Sequence, residues 1–268
     1  MRRDRNRGLT LFTLVVYAFL FAPIVILIIF SFNDAKDVFA WQGFTLKWYP
    51  ELLGDRNLMH GLSVTLQVAA IAVVATTILG TLLGLGLARL RSRSGAAAAD
   101  TLILLPMVTP EVVMGISLLL FFALVFNANG SILQIAVAHI AFSISYVAII
   151  VRARAVSLDP RMEEAARDLG ATPLAAFLHV TLPLLAPAVA AGALIAFALS
   201  FDDLIITSFN AGVGSSTLPL YIYSRIRFGI TPEINAISTI VVVTTAVAIL
   251  GATWYTSRRT RRMATNRE

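Results

Sequence analysis

The sequence predicts an all-helical membrane protein with six transmembrane helices, on three observations. Of its 268 residues, 58% are hydrophobic and only 13% charged, whereas soluble domains average about 45–50% and about 25%. A water-facing surface cannot be assembled from that composition. The apolar residues come in long blocks, with a mean hydropathy of +0.82, the pattern a hydrocarbon solvent demands. The basic residues behind the net charge of +6 stand at the edges of those blocks and do not form the clustered stripe of a nucleic-acid-binding protein. Composition also excludes disorder, collagen and coiled coil. The absence of cysteine excludes disulfides, thiolate metal sites and cysteine catalysis.

Taken in order, uncharged runs cover residues 9–32, 62–88, 131–151 and 234–257. Each exceeds the ~20 residues that cross ~30 Å of hydrocarbon at 1.5 Å per residue. Two further blocks, 101–126 and 184–209, are as long but interrupted by Glu111 and by Asp202 with Asp203. The first run follows a basic segment, as a secretion signal would. Its 24 uncharged residues exceed the ~7–15 of a signal's apolar region, and no A-x-A site follows, so it is expected to stay as an anchor. Arginines concentrate in alternate segments: four near the N-terminus (Arg2, Arg3, Arg5, Arg7), three in the second loop (Arg89, Arg91, Arg93), four in the fourth (Arg152, Arg154, Arg161, Arg167) and five in the tail, 16 of the 21 basic residues. Cytoplasmic loops keep positive charge, so both termini are expected in the cytoplasm.

The loops are unequal. Residues 127–130 form a bare hairpin. The first outward loop, 33–61, carries the aromatic run from Trp41 to Tyr49, including Trp48, which reads either as interfacial anchors or as substrate contact. The last outward loop includes the short apolar stretch 218–228, expected as an interfacial or re-entrant helix. The cytoplasmic loop 152–183 is the most patterned. Asp159-Pro160 reads as a cap followed by proline at the first helical position, Glu163 and Glu164 complement the helix dipole, and Gly170 stops the helix. Met162, Ala165, Ala166 and Leu169 share one apolar face. Thr172-Pro173 repeats the start signal, and Leu174, Phe177 and Leu178 form a second face. Such a helix-turn-helix suits a groove in another protein; a connector lying on the bilayer surface is the alternative.

Glu164-Ala165-Ala166, then Gly170, then Val180-Thr181-Leu182-Pro183 resembles the E-A-A, G, I-x-L-P signature of ABC importer permeases, with Val180 in the isoleucine place. The resemblance implies a type I ABC importer permease fold, one permease domain over residues 1–268, and a coupling loop that plugs into a cleft of an ATPase subunit. Glu164, Ala165, Ala166, Gly170, Leu182 and Pro183 would be its coupling positions. A closer resemblance, to the second membrane subunit of spermidine/putrescine permeases, rests on Ser31-Phe32-Asn33, Trp41 to Thr45 with Lys47-Trp48-Tyr49, Pro110 to Ser117, Asp202-Asp203, Leu218-Pro219-Leu220 with Ile222-Tyr223-Ser224, and Gly229 to Ala236. The sequence departs from that pattern at Glu111, where the family carries Asp, and at Tyr221, where it carries Lys, which leaves the exact amine open. The family implies a bacterial inner-membrane subunit paired with a second homologous permease, two cytoplasmic ATPases that bind ATP and Mg, and an extracytoplasmic polyamine-binding protein, with a path bordered by Trp48, Glu111, Asp202 and Asp203.

The acids support a cationic cargo on physical grounds. A carboxylate at mid-membrane costs ~2.5–3.5 kcal/mol on insertion scales, so three are expected only beside a polar path or a partner. No basic residue lies inside a span to pair with them. Ser200, Asp203 and Thr207 fall at i, i+3 and i+7 on one helix face, with Asp202 turned by about 100°. The alternative is capping of broken helices, since Pro106 and Pro110 free backbone groups near Glu111. Gly80-x-x-x-Gly84 with Gly86 reads as a small-residue helix contact. His60, His139 and His179 are too scattered for a metal site, no nucleophile-base spacing appears, and no P-loop is present, so neither enzymatic chemistry nor a resident cofactor is expected. Leu105-Pro106 to Gly115 and Leu182-Pro183 to Gly192 echo each other at an offset of 77, either by coincidence or as a half-repeat. Two competing functions remain: an importer for another amine or opine-like solute, and an ion-coupled secondary transporter, which would leave the E-A-A loop without a purpose.

Overall fold

Helix follows helix along the chain because the apolar blocks leave no water to satisfy backbone amides in any open structure. The computed structural model describes residues 7–35, 40–90, 93–227 and 232–247. Its elements are α1 (Arg7–Phe30), α2 (Trp48–Gly54), α3 (Arg56–Ala88), α4 (Arg93–Val108), α5 (Glu111–Phe126), α6 (Ile132–Val156), α7 (Arg161–Asp168), α8 (Pro173–Ala176), a π-helical turn (Phe177–Thr181), α9 (Leu182–Phe201), α10 (Ile205–Asn210) and α11 (Leu218–Arg227), then α12 (Pro232–Val247). Among the described residues the only β pairing is an isolated bridge between Asn33 and Phe44. The described residues fall into two compact units, Met1–Leu58 with Ile222–Glu268, and Met59–Tyr221.

Among the described residues four helices are long and apolar enough to cross a membrane: Gly8–Phe30, Arg56–Ala88, Ile132–Val156 and Pro173–Phe201. The expected span 101–126 is not one straight helix. It is a pair, Ala97–Val108 and Glu111–Phe126, bent by 101°. The cause is Pro110, which lacks an amide proton and pushes Thr109 away from helical geometry; its own ψ is 132°. The expected span 184–209 is also interrupted: α9 ends at Phe201 and α10 starts at Ile205. The last expected span, 234–257, is helical through Val247, and its remainder lies outside the described residues, as does residue 228 of the short stretch that α11 otherwise fills.

In the central unit α6 supplies the core, burying eleven residues from Gln134 to Val151. Val147 is held from two sides by glycines. A Cβ on Gly80 of α3 would stand 2.7 Å from the Cβ of Val147, and one on Gly192 of α9 would stand 3.0 Å from its Cγ1. Gly84 presses on the Ala148 carbonyl. The small-residue motif thus serves packing of α3 on α6 within the chain, where lipid-solvated helices gain most from close backbone approach. Gly86 meets nothing within 4 Å.

The other described unit contains α1, which buries none of its residues from Gly8 to Phe30, and the first outward loop, which packs on itself. Asp34 N–H donates to Gly43 O (2.9 Å) and Thr45 N–H to Phe32 O (2.8 Å). Gly43 makes this turn possible with φ +146°, a conformation that side chains disfavour. Phe32 stacks on Phe44 with ring centroids 5.5 Å apart. A cavity of about 360 Å³ lies between Phe32, Leu46 and Tyr49 of the loop and Thr239, Ile240 and Val243 of α12.

Candidate functional site

The two broken spans carry the acids. At the α9–α10 break, Asp203 turns back to start the next helix. Its carboxylate accepts from Ile206 N–H (3.3 Å), Thr207 N–H (2.7 Å) and the Thr207 hydroxyl (2.7 Å), the bonds of an N-cap. His139 of α6 completes the cluster, with Nε2 3.2 Å from Asp203 Oδ2 and 3.1 Å from Thr207 Oγ1. The carboxylate can only accept and the Thr207 proton is already spent on it, so Nε2 carries the ring proton. In the neutral ring Nδ1 then accepts from the Ser200 hydroxyl at 2.8 Å. The side chains of His139 and Asp203 are 3% and 7% exposed. Ser200 of α9, Asp203 in the break and Thr207 of α10, expected on one face of a continuous helix, therefore converge across the interruption on one imidazole. His139 was legible only as a scattered histidine; the available signal was that His139 and Ser143 share one face of α6, and the Ser143 hydroxyl bonds the His139 carbonyl at 2.5 Å.

Asp202 is the exposed member of the pair. It ends α9 with φ −99° and ψ 0°, its amide closing on the Ala198 carbonyl. Glu111 opens α5 and is exposed as well; no side chain caps that helix, and a carboxylate in its first turn complements the dipole. The two breaks are bound together. A Cβ on Gly115 would meet the Phe209 ring at 2.7 Å and the Ile206 Cα at 3.4 Å. Asn210 donates to Gly115 O (3.3 Å) and Ile206 O (2.9 Å), and Gln134 donates to Asn210 Oδ1 (3.2 Å). Glu111 stands four residues before Gly115, and Asp202 four before Ile206, so both exposed acids lie upstream of the same helix contact.

Trp48 belongs to the other unit. It is 5% exposed, its indole N–H donates to Asn33 O at 2.7 Å, and Lys47 Nζ lies 4.6 Å over its ring. The proline echo does not give matching geometry: Pro110 sits at a sharp bend, whereas its counterpart Pro187 lies inside continuous α9.

On the expected cytoplasmic side, α7 follows Asp159, whose Oδ1 accepts from Arg161 N–H at 3.0 Å; Pro160 occupies the cap position itself. Glu164 and Ala165 are exposed and Ala166 half-buried. Gly170 ends the helix with φ +92°, as a left-handed C-terminal residue does. Thr172 caps α8, accepting from Ala175 N–H at 3.2 Å. Leu169 is 90% exposed and Leu174 65%, so these two apolar side chains stand largely open, while Ala166 and Phe177 are half-buried. Leu182 and Pro183 open α9 directly after the π turn. Glu163 points inward, where it pairs with Arg89 at the end of α3 and accepts from the Thr181 hydroxyl at 3.0 Å.

Residues 80–265 match the family described as binding-protein-dependent transport system inner membrane component. The chain belongs to that family. It is therefore a multi-pass inner-membrane permease of an ABC importer. It is 42% identical over 252 residues to the putrescine transport system permease protein PotI of Escherichia coli K12, covering 92% of this chain and 89% of that protein. It is 38% identical over 241 residues to the spermidine/putrescine transport system permease protein PotC of the same strain, covering 90% of each. The fold is shared with a bacterial ABC transporter involved in the import of the acidic polysaccharide alginate, at a TM-score of 0.73 and 17% identity over 96% of both chains.

Proposed function

We propose that this permease conducts a polyamine of the putrescine and spermidine class, driven by ATP that partner subunits hydrolyse. The observation that carries the reading is the pair of exposed carboxylates, Glu111 and Asp202, one at each helix break in otherwise apolar spans. An unpaired acid inside a span is costly unless it faces a polar path, and two of them suit a cargo with several ammonium groups. The names of PotI and PotC support the same class. Asp203 and Ser200 serve this path from behind by setting the α9–α10 break through His139, and Trp48 braces the outward loop within its own unit. The transport unit is a pair of homologous permeases with two ATPases that bind ATP and Mg and an extracytoplasmic binding protein. Both termini and the loop 152–183 face the cytoplasm. There the exposed apolar faces of α7 and α8, with Glu164 beside them, seat in the ATPase, and Gly170 sets the angle between them. The permease itself performs no covalent chemistry.

The test is uptake of labelled putrescine and spermidine into vesicles carrying the whole complex. Asp202→Asn keeps size and hydrogen-bonding atoms but deletes charge. Loss of a charge-assisted partner is worth ~1.5–3 kcal/mol, roughly ten- to hundredfold in uptake if it falls on the rate-limiting state. Expression and assembly stay normal, and Glu111→Gln gives a smaller loss. Full uptake in Asp202→Asn, Glu111→Gln and their double variant would remove the case for a cationic path.

A further inference from the structure

Helix α7 buries none of its residues, yet it must hold a fixed position if it is to pass on movement. Beneath it lies a cavity of about 520 Å³ lined in part by Leu85, Ala88, Leu158, Met162, Val180 and Leu184. Apolar packing therefore does not seat the helix on the spans. Glu163 crosses that gap. Its carboxylate pairs with Arg89, one residue past the end of α3, and the same Oε2 accepts from Thr181, the last residue of the π turn that leads into α9. Each partner suits its place. Arg89 stands at the negative end of the α3 dipole and Glu163 in the positive first turn of α7, so the ion pair joins opposite poles of two helices. Thr181 is 6% exposed, and its buried hydroxyl would lose its partner if Glu163 moved away. The Glu163 side chain is 25% exposed and that of Arg89 52%, so water competes for the ion pair and the shielded part of the tie is the bond to Thr181.

We propose that Glu163 is a positioning residue for energy coupling: with Arg89 and Thr181 it ties α7 to the ends of α3 and α9, so that displacement of the loop by the ATPase moves both spans together. The inference rests on the ABC-coupling reading of the loop, and it assigns work to the acid preceding the E-A-A triplet. Glu164 is left free for the outward contact.

The experiment uses the assembled complex reconstituted in proteoliposomes, with labelled putrescine uptake and ATP hydrolysis measured on the same sample. For Glu163→Ala the ATPase subunits remain bound and ATP hydrolysis stays within about twofold, while uptake per ATP falls by about tenfold, a typical size for coupling between sites. Arg89→Glu behaves alike, and the charge-exchanged Arg89→Glu with Glu163→Arg recovers most of the ratio. A second readout does not depend on cargo. Spin labels at Asp168, an exposed residue of α7 outside its apolar face, and at Leu194, placed by cysteine in a chain that has none of its own, give one narrow distance with and without ATP. In Glu163→Ala that distance broadens. A narrow distance and a normal uptake per ATP in Glu163→Ala would overturn the tie, and so would loss of the ATPase subunits, which would make Glu163 a docking contact. Failure of the wild-type complex to move putrescine would instead strike the polyamine reading, with the spin-label arm still deciding the tie.

Discussion

An aspartate that accepts four hydrogen bonds from a helix start and a neighbouring imidazole cannot become asparagine without cost, because one of the two new side-chain atoms must donate where the native one accepted. Asp203 is in that position. Leaving a buried donor unmatched costs about 1–3 kcal/mol. Asp203→Asn is therefore expected to lower the Tm of the purified permease by roughly 3–10 °C, with His139→Ala similar, whereas Asp202→Asn leaves Tm unchanged. Thermal unfolding followed by circular dichroism separates the two; equal Tm values for Asp202→Asn and Asp203→Asn would contradict the division of roles. Helical spacing put Ser200, Asp203 and Thr207 on one face of a continuous helix; the three do meet at one imidazole, but across a break, with Ser200 in α9, Asp203 between the helices and Thr207 in α10. Such spacing could not reveal which neighbour they face. The spacing of His139 from Ser200 in the chain carries no information about which helices pack together, and periodicity does not tell a capping acid from a path acid.

At the scale of elements, the small residues decide how closely helices approach. Gly80 and Gly84 let α3 lie against Val147 and Ala148. Gly84→Leu puts a branched side chain where the Ala148 carbonyl sits, and overpacking of this kind costs about 1–3 kcal/mol or more. The expected outcome is a permease that inserts but is degraded or aggregates, seen as loss of the monodisperse peak in size-exclusion chromatography. Gly86→Leu, with open space around it, leaves the peak intact. Helix starts and stops were legible from Gly170, Thr172 and Pro173, whose geometry is local. The breaks within the spans were less so. Pro106 and Pro110 both marked the first one, yet only Pro110 bends the chain. The interruption after Phe201 has no proline at all: Asp203 accepts from the amides of Ile206 and Thr207 in the first turn of the new helix, while His139 holds the same carboxylate from α6.

Over the molecule as a whole, the arginines from which an orientation is expected also tie helices together. Arg152 of α6 pairs with Asp100 of α4, Arg154 of α6 donates to the Leu184 carbonyl of α9 at 3.2 Å, and Arg89 reaches Glu163. Charge asymmetry directs insertion, and the same residues then cross-link the helix ends at which they stand. Exposed pairs of this kind add little stability, so their value is positional. Cysteines at Ala97 and Val213, both exposed, test the orientation: a membrane-impermeant thiol reagent applied to intact cells labels Val213→Cys and not Ala97→Cys. Labelling of Ala97→Cys from outside would invert the topology. Fold class was legible at this scale because a hydrocarbon solvent leaves few choices. The place of α1 was not, since a helix apolar on every side carries no stripe to show what it packs against.

The π turn at Phe177–Thr181, where the Leu182 amide reaches back to Phe177, makes chain length an angular variable. A wide turn takes up one more residue than an α-helical turn without ending the helix, and each residue is worth about 100° of rotation. Removing one residue there would leave continuous α-helix from Pro173 to Phe201. It would also swing everything upstream through roughly a quarter turn about the axis of α9, carrying Glu163 away from Thr181 and aiming the docking face at a different azimuth. A single insertion or deletion in this stretch thus resets the azimuth of α7 and α8 about α9 by a fixed step and leaves the span itself unchanged.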